Sequence, residues 1–122
     1  MGEKLNILIV DDEEDICLMV SRILQKEGHS VTFCHSIQEG KGYVLNNRYQ
    51  AYFLDLNLTD GSGFDLIPLI QGKNEGASQI IIISAYDGHL ERERAESFGV
   101  DAFIHKPFTK RQILEALSRN NQ

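Results

Sequence analysis

The sequence predicts an α/β protein with a doubly wound, five-stranded parallel sheet of strand order 2-1-3-4-5 and five helices. Two observations support this prediction. Short apolar runs alternate with segments of helical spacing, and these runs are too apolar for strands with a solvated face. Right-handed crossovers leave few arrangements of five such units, and 2-1-3-4-5 is the usual one. We expect one domain over residues 1–122, with residues 119–122 as a tail or the start of a linker.

The five predicted strands are short apolar runs bounded by turn residues. They cover residues 5–11, 31–34, 51–55, 79–85 and 101–105. Because none of them has the alternation of a half-solvated strand, we expect helices on both sides of the sheet. For the same reason His105, at the end of the fifth run, is expected to be packed.

Three of the predicted helices have clear boundaries. The first carries an apolar stripe at i, i+3, i+4, i+7 and i+8, formed by Ile16, Met19, Val20, Ile23 and Leu24. Gly28 follows as its C-terminal stop. Ser36 with Glu39, and Thr109 with Gln112, are capping boxes that predict the starts of the second and fifth helices.

The third and fourth helices have weaker signals. Residues 63–71 form a short candidate that contains Pro68, and proline costs about 3 kcal/mol in a helix interior. This helix should therefore start late or kink. Asp87 is the expected N-cap of the fourth helix, which should end near Gly99.

Charge and composition exclude several classes of protein. The formal net charge of −6 argues against a nucleic-acid or anionic-membrane surface, since either requires a basic face. No apolar run approaches membrane-spanning length, and the N-terminus lacks the architecture of a signal peptide. Cys17 and Cys34 are too few and too poorly spaced for a disulfide scaffold or a zinc site. We therefore expect a cytoplasmic protein with two reduced, half-buried thiols.

Polar residues follow four of the predicted strands. Asp11 and Asp12 end the first strand, Asp55 the third and Ser84 the fourth, while Lys106 follows the fifth. In the order 2-1-3-4-5 these four strands are consecutive neighbours, about 4.8 Å apart. Because sites form at the carboxyl ends of the strands in such sheets, we expect these side chains to converge at one edge.

The converging charges predict a divalent cation and a phosphate. Two carboxylates about 5 Å apart repel by roughly 3 kcal/mol at an effective dielectric constant of 20, and a cation relieves this repulsion. The ligands are all oxygen, which favours Mg²⁺ over zinc. Lys106 and Ser84 suit phosphoryl oxygens, and the centrally placed Asp55 suits the role of nucleophile.

Four motifs spread over essentially the whole chain resemble a known family. They are LIVDDEED (8–15), FLDLNLTDGSG (53–63), IIIISA (80–85) and GVDAFIHKPF (99–108). Together they resemble the receiver domain of two-component response regulators, a flavodoxin-like fold. The resemblance implies a signalling domain that catalyses its own phosphorylation and dephosphorylation, and not a metabolic enzyme.

The resemblance also implies roles for the acidic residues. Asp55 looks like the phospho-acceptor, which receives its phosphoryl group from a sensor histidine kinase or a histidine phosphotransfer protein. Asp11 and Asp12 look like the acidic pair that holds Mg²⁺, Asp12 directly and Asp11 largely through water. Asp55 itself and the backbone carbonyl of Asn57 complete the expected metal site.

A second group of residues is implied to transmit the signal. Ser84 matches the switch hydroxyl, Phe103 the switch aromatic and Lys106 the phosphate-contacting lysine. The Lys106–Pro107 bond is expected to be cis. The output face would be helix 4, strand 5 and helix 5, where a partner or a second copy of the domain could dock.

Three positions depart from the pattern of the family. Thr59 stands where proline is common, which concerns the rigidity of the loop after Asp55. Phe103 lacks the hydroxyl of the frequent tyrosine, and Pro68 is unusual within the third helix.

Two other functions fit parts of the sequence. Residues 55–59 are similar to the D-x-D-x-T motif of haloacid-dehalogenase-type phosphatases, but Asn57 stands where that family has its general acid-base. A flavodoxin would share the strand order, yet the acidic run 11–15 would repel the FMN phosphate. The run Glu91–Arg94 is either a solvated, self-paired helix face or part of the output surface, and the sequence leaves both open.

Overall fold

The computed structural model describes residues 4–74, 78–86 and 88–118 of the protein. A single parallel sheet of five strands has the order β2-β1-β3-β4-β5, which confirms the predicted topology. The strands are β1 (Asn6–Val10), β2 (Ser30–Cys34), β3 (Ala51–Asp55), β4 (Gln79–Ser84) and β5 (Ala102–His105). Each lies within one or two residues of its predicted limits.

Five α-helices alternate with these strands, as predicted. They are α1 (Glu14–Lys26), α2 (Ile37–Asn46), α3 (Ile67–Asn74), α4 (His89–Ser97) and α5 (Lys110–Ser118). A 3₁₀ turn, Gly63–Leu66, precedes α3, so that Pro68 is the second residue of the α-helix. The late start expected from Pro68 is therefore observed, because proline is tolerated in the first turn, where its missing N–H is not needed.

Side-chain caps determine several of the helix boundaries. Thr109 N–H donates to Gln112 Oε1 (2.8 Å) and Gln112 N–H donates to Thr109 Oγ1 (3.2 Å), which completes the predicted capping box of α5. Ser36 Oγ accepts from Glu39 N–H (3.1 Å), whereas the Glu39 carboxylate accepts from His35 N–H rather than Ser36 N–H. The capping box of α2 therefore has its first hydrogen bond as predicted, while its second comes from the backbone one residue earlier than predicted.

Glycines occupy the ends of α1 and α4. Gly28 and Gly99 have φ values of 93° and 74°, in the left-handed region that favours glycine after a helix. Gly88 occupies the N-cap position of α4 without a side-chain cap. Asp87, which we predicted at that position, lies outside the described residues.

Helices cover both sides of the sheet and create two apolar layers. One layer contains alternate residues of the central strands packed against α1 and α5, including Ile9, Phe53, Ile81, Leu24 and Ile113. The other contains the intervening residues packed against α2, α3 and α4, including Leu8, Tyr52, Ile82, Val44 and Ile70. The carboxyl ends of β1, β3, β4 and β5 emerge side by side between these layers.

Three expectations about burial were wrong. The edge strands β2 and β5 are partly exposed, because each has a neighbouring strand on one side only. His105 is exposed, with Nε2 3.1 Å from the Ala85 carbonyl oxygen. Cys17 and Cys34 are buried rather than half-buried, and burial raises the pKa of each thiol to about 12.

Candidate functional site

Three carboxylates meet at the carboxyl ends of β1 and β3. Asp11, Asp12 and Asp55 each place one oxygen so that all three atoms lie within 4.8 Å of one another. Asp11 and Asp55 are buried, with exposed fractions of 0% and 3%, whereas Asp12 is exposed. This placement follows from the register, in which Ile7–Val10 of β1 pair directly with Ala51–Leu54 of β3.

Lys106 lies over this acidic cluster from the end of β5. Its Nζ is 2.9 Å from Asp11 Oδ2, 3.5 Å from Asp55 Oδ2 and 3.0 Å from Glu13 Oε1. Lys106 N–H donates to the Ser84 carbonyl oxygen (2.8 Å), which places the lysine beside the end of β4. The bond between Lys106 and Pro107 is cis. One ammonium thus bridges the acidic residues of two loops.

The buried charges are only partly balanced. Burial, and then the neighbouring Asp11 carboxylate, raise the pKa of Asp55 to about 7. Burial also raises the pKa of Asp11, against the opposing effects of the Glu13 N–H and Lys106. Burial alone would lower the pKa of Lys106, but the close carboxylates of Asp11, Glu13 and Asp55 outweigh this effect, so that the pKa is raised.

The cluster fits a hard divalent cation. In the part of the chain that the structure describes, Asp11 Oδ2 is the one buried side-chain oxygen without a hydrogen-bond partner. It forms an ion pair with Lys106 Nζ at 2.9 Å. A buried, unsatisfied carboxylate oxygen beside two other carboxylates is a suitable ligand set for Mg²⁺.

Asn57 follows Asp55 in the chain, and Ser84 ends the neighbouring strand β4. Asn57 N–H donates to Asp55 Oδ1 (3.3 Å). Asp55 pairs in register with Ile83, which places Ser84 one residue beyond it on β4. Ser84 is buried, and its Oγ accepts from Tyr86 N–H (3.0 Å).

Phe103 lies on β5 opposite Ile82 of β4, on the same face of the sheet as Ser84. Its ring is partly buried against the layer beneath α2, α3 and α4, and the Arg92 guanidinium lies 4.6 Å from the ring centroid. Arg94 lies over Phe64 at 4.7 Å. Neither of the two interpretations left open for the run Glu91–Arg94 included these ring contacts.

The sequence did not reveal two supports of the site. Glu13 contacts Lys106. Its position as the third acidic residue of the run 11–13 was the only sign of this contact in the sequence. The Asp11 carbonyl oxygen lies 2.9 Å from His35 Nδ1 and accepts from Cys17 Sγ (3.3 Å). This contact follows from the register, in which Val10 of β1 pairs with Cys34 of β2, so that Asp11 and His35 lie side by side after neighbouring strands.

Comparison with known proteins identifies the family of this fold and site. Residues 7–118 match the family model of the response regulator receiver domain. The chain therefore belongs to the response regulator receiver domain family. Receiver domains are signalling domains of two-component systems, and the observed site is consistent with a phospho-accepting function. Membership of the family implies phosphodonor partners such as histidine kinases.

Three relatives illustrate the likeness. The chain is 30% identical to the uncharacterized transcriptional regulatory protein YkoG of Bacillus subtilis (strain 168), over 92% of this chain and 49% of that protein. It therefore spans about half the length of this curated relative. A CheY-like receiver domain protein from Methanospirillum hungatei JF-1 superposes with a TM-score of 0.88, at 27% identity over 96% of this chain and 93% of that one.

The third relative is a response regulator protein from Burkholderia pseudomallei with a phosphorylated aspartic acid, a calcium ion and citrate. Its TM-score is 0.87, at 26% identity over 98% of this chain and 69% of that one.

Among the described residues, no helix is both long and apolar enough to cross a membrane.

Proposed function

We propose that this domain accepts a phosphoryl group on Asp55 from the phosphohistidine of a sensor histidine kinase or a histidine phosphotransfer protein, in a Mg²⁺-dependent reaction. The observation that carries the proposal is the buried Asp55 carboxylate beside the Asp11 carboxylate and the Lys106 ammonium. The Burkholderia relative supports it, because that protein carries a phosphorylated aspartic acid together with a hard divalent cation.

Each group in the site has a role in this transfer. An Asp55 oxygen attacks the phosphorus while the P–N bond of the donor breaks, and its electron pair stays on the imidazole. Lys106 Nζ, 3.5 Å from Asp55 Oδ2, neutralises charge on the phosphoryl oxygens. Asp11, Asp12, Asp55 and the Asn57 carbonyl would hold Mg²⁺, which offsets the charge of the carboxylates and the phosphoryl group. The domain would catalyse its own dephosphorylation at the same place.

Phosphorylation of Asp55 can be tested without a cognate kinase. We expect the wild type to gain one phosphoryl group from acetyl phosphate or phosphoramidate, followed by intact mass, and to lose this reaction in EDTA. Asp55→Asn removes the nucleophile and should not react. Asp15→Asn, an exposed acid on α1, is the matched control and should react like the wild type. Phosphorylation of Asp55→Asn at the wild-type rate would show that the acceptor is another residue.

We propose further that Ser84 and Phe103 relay the signal. A phosphoryl group on Asp55 places strong acceptor oxygens beside the next strand, where the Ser84 hydroxyl can donate to them. As Ser84 moves toward them, the partly exposed Phe103 ring can turn inward behind it. Burying more of this ring gains about 1–2 kcal/mol, enough to shift a two-state equilibrium roughly tenfold.

Beryllofluoride, which stands in for the phosphoryl group on Asp55, tests this relay. We expect amide NMR shifts to spread from the site to residues 88–108 in the wild type and to remain local in Ser84→Ala. Equal spread in both proteins would exclude Ser84 as the relay. Spread in neither would leave phosphate shuttling as the role of this domain.

The proposal includes partners and location. The α4, β5 and α5 face would receive the downstream partner or a second copy of the domain, since Phe103 on β5 would move beneath it. We propose no direct binding to nucleic acids or membranes, because the net charge of −6 disfavours contact with these anionic surfaces. A cytoplasmic location follows from the proposed donor.

A further inference from the structure

The loop after Asp55 is attached to a neighbouring helix at its tip. Asp60 accepts two backbone hydrogen bonds, from Ile37 N–H to Oδ1 (2.8 Å) and from Gln38 N–H to Oδ2 (3.0 Å). These are the first two residues of α2, whose N–H groups have no partner within the helix. The two bonds hold the pKa of Asp60 below its usual range. A carboxylate of the site loop thus caps a helix more than twenty residues earlier in the chain.

The loop is also folded into a tight turn. Gly61 N–H donates to the Leu58 carbonyl oxygen (3.4 Å) and Leu58 N–H donates to the Gly61 carbonyl oxygen (2.9 Å). Thr59 and Asp60 occupy the two central positions of this turn, and Leu58 packs against the apolar layer below. Proline restrains the first central position of many turns, because its ring fixes φ. Thr59 supplies no such restraint.

We infer that Asp60 is a positioning residue, which holds the loop so that the Asn57 carbonyl faces the metal site. The inference rests on the proposed function, since that function assigns Asn57 as a ligand. Asn57 lies one residue before the turn, so any displacement of residues 58–61 displaces its carbonyl. A proline at position 59 would restrain the loop from within. The hydrogen bonds of Asp60 to α2 restrain it from outside.

Four variants separate an effect on the position of the loop from an effect on stability alone. Asp60→Ala removes both bonds to α2, whereas Asp60→Asn keeps one acceptor oxygen. Ser36→Ala is the matched control, because it removes a different cap of α2, the bond from Glu39 N–H to Ser36 Oγ (3.1 Å), and leaves the loop untouched. Thr59→Pro in the Asp60→Ala background restores restraint to the turn alone.

The measurement is Mg²⁺ affinity by NMR titration of the unphosphorylated protein, with urea unfolding in parallel. We expect Asp60→Ala to weaken Mg²⁺ binding about tenfold, as for other residues that orient metal ligands. Asp60→Asn should fall between Asp60→Ala and the wild type. Ser36→Ala should lower stability but leave affinity within about twofold of the wild type. Thr59→Pro should restore most of the affinity of Asp60→Ala.

Two results would overturn the inference: wild-type Mg²⁺ affinity in Asp60→Ala, or an equal loss of affinity in Ser36→Ala. Should Asp60→Ala fail to fold, Asp60→Asn and Ser36→Ala still provide the comparison. Failure of the proposed function has a different signature, because the wild type would then bind Mg²⁺ without accepting a phosphoryl group on Asp55.

Discussion

Two buried carboxylates, Asp11 and Asp55, are the least favourably placed charges of the site. Both have raised pKa values because burial disfavours their charged forms, and one shared ammonium compensates only in part. Buried ionisable groups with strongly shifted pKa values lower the stability of the fold, and they are concentrated at functional sites. Asp12, the exposed third member, can meet a ligand without any rearrangement of the core.

The raised pKa of Asp55 predicts a pH dependence of stability in metal-free protein. The pKa of this carboxyl rises from 3.8 to about 7 on folding, so the folded state binds more protons between these values. Stability of the wild type relative to Asp55→Asn should therefore fall as pH rises through this window, and level off above it. The total change is on the order of 4 kcal/mol, since the pKa rises by about three units and one unit corresponds to about 1.4 kcal/mol.

Urea unfolding in EDTA at pH 5 and pH 8 measures this difference. Saturating Mg²⁺ is the control, because a bound cation favours the ionised carboxylate and should reduce the pH dependence. If the wild type gains stability relative to Asp55→Asn between pH 5 and pH 8, the charge of Asp55 is better compensated than the contacts indicate.

At the scale of elements, α2 is stabilised by residues from other parts of the chain at both ends. Asp60 caps its first turn, and Lys73 of α3 lies at its C-terminus. Lys73 Nζ donates to the carbonyl oxygens of Val44 (2.7 Å), Leu45 (2.9 Å) and Asn47 (2.7 Å). No basic residue lies in the last turn of α2 itself, so Lys73 provides the positive charge that the helix dipole favours there.

Lys73→Met should destabilise the domain by about 1–2 kcal/mol, because three carbonyl oxygens lose a charged donor while the aliphatic stem is kept. Chemical denaturation with an unchanged m-value would measure this loss. Lys41→Met, which removes an exposed lysine from α2 itself, should change stability by less than about 0.5 kcal/mol. Equal effects of both variants would mean that Lys73 acts only through overall charge.

At the scale of the whole molecule, alternating periodicity was enough to predict the five strands and the helices, and the rule of right-handed crossovers then led to the strand order. It could not predict how exposed each strand is, because this depends on position in the sheet rather than on composition. The apolar run at 31–34 forms an edge strand that is partly exposed, while the similar run at 51–55 is central and fully buried. His105 is exposed for the same reason, at the end of the other edge strand.

The site could be predicted where it depends on strand ends and not where it depends on loops. Asp11, Asp55 and Lys106 meet because parallel strands end at one edge, which the order alone determines. The contacts of Asp60 with α2 and of Lys73 with its C-terminus depend on loop paths that leave no periodic signal. Sequence motifs therefore identified the expected chemistry, whereas the structure revealed what supports it.

Because the acidic cluster forms only when β1 and β3 pair, Mg²⁺ should bind the folded state and stabilise the entire domain. At Mg²⁺ tenfold above its dissociation constant, the gain is about 1.4 kcal/mol, which should raise Tm by about 5 °C. Asp12→Ala loses a ligand but also relieves repulsion, so without metal its Tm should equal or exceed that of the wild type. Calorimetric scans with EDTA and with Mg²⁺ test both statements. An equal Mg²⁺-induced rise in Tm for Asp12→Ala and the wild type would place the ion elsewhere on the domain.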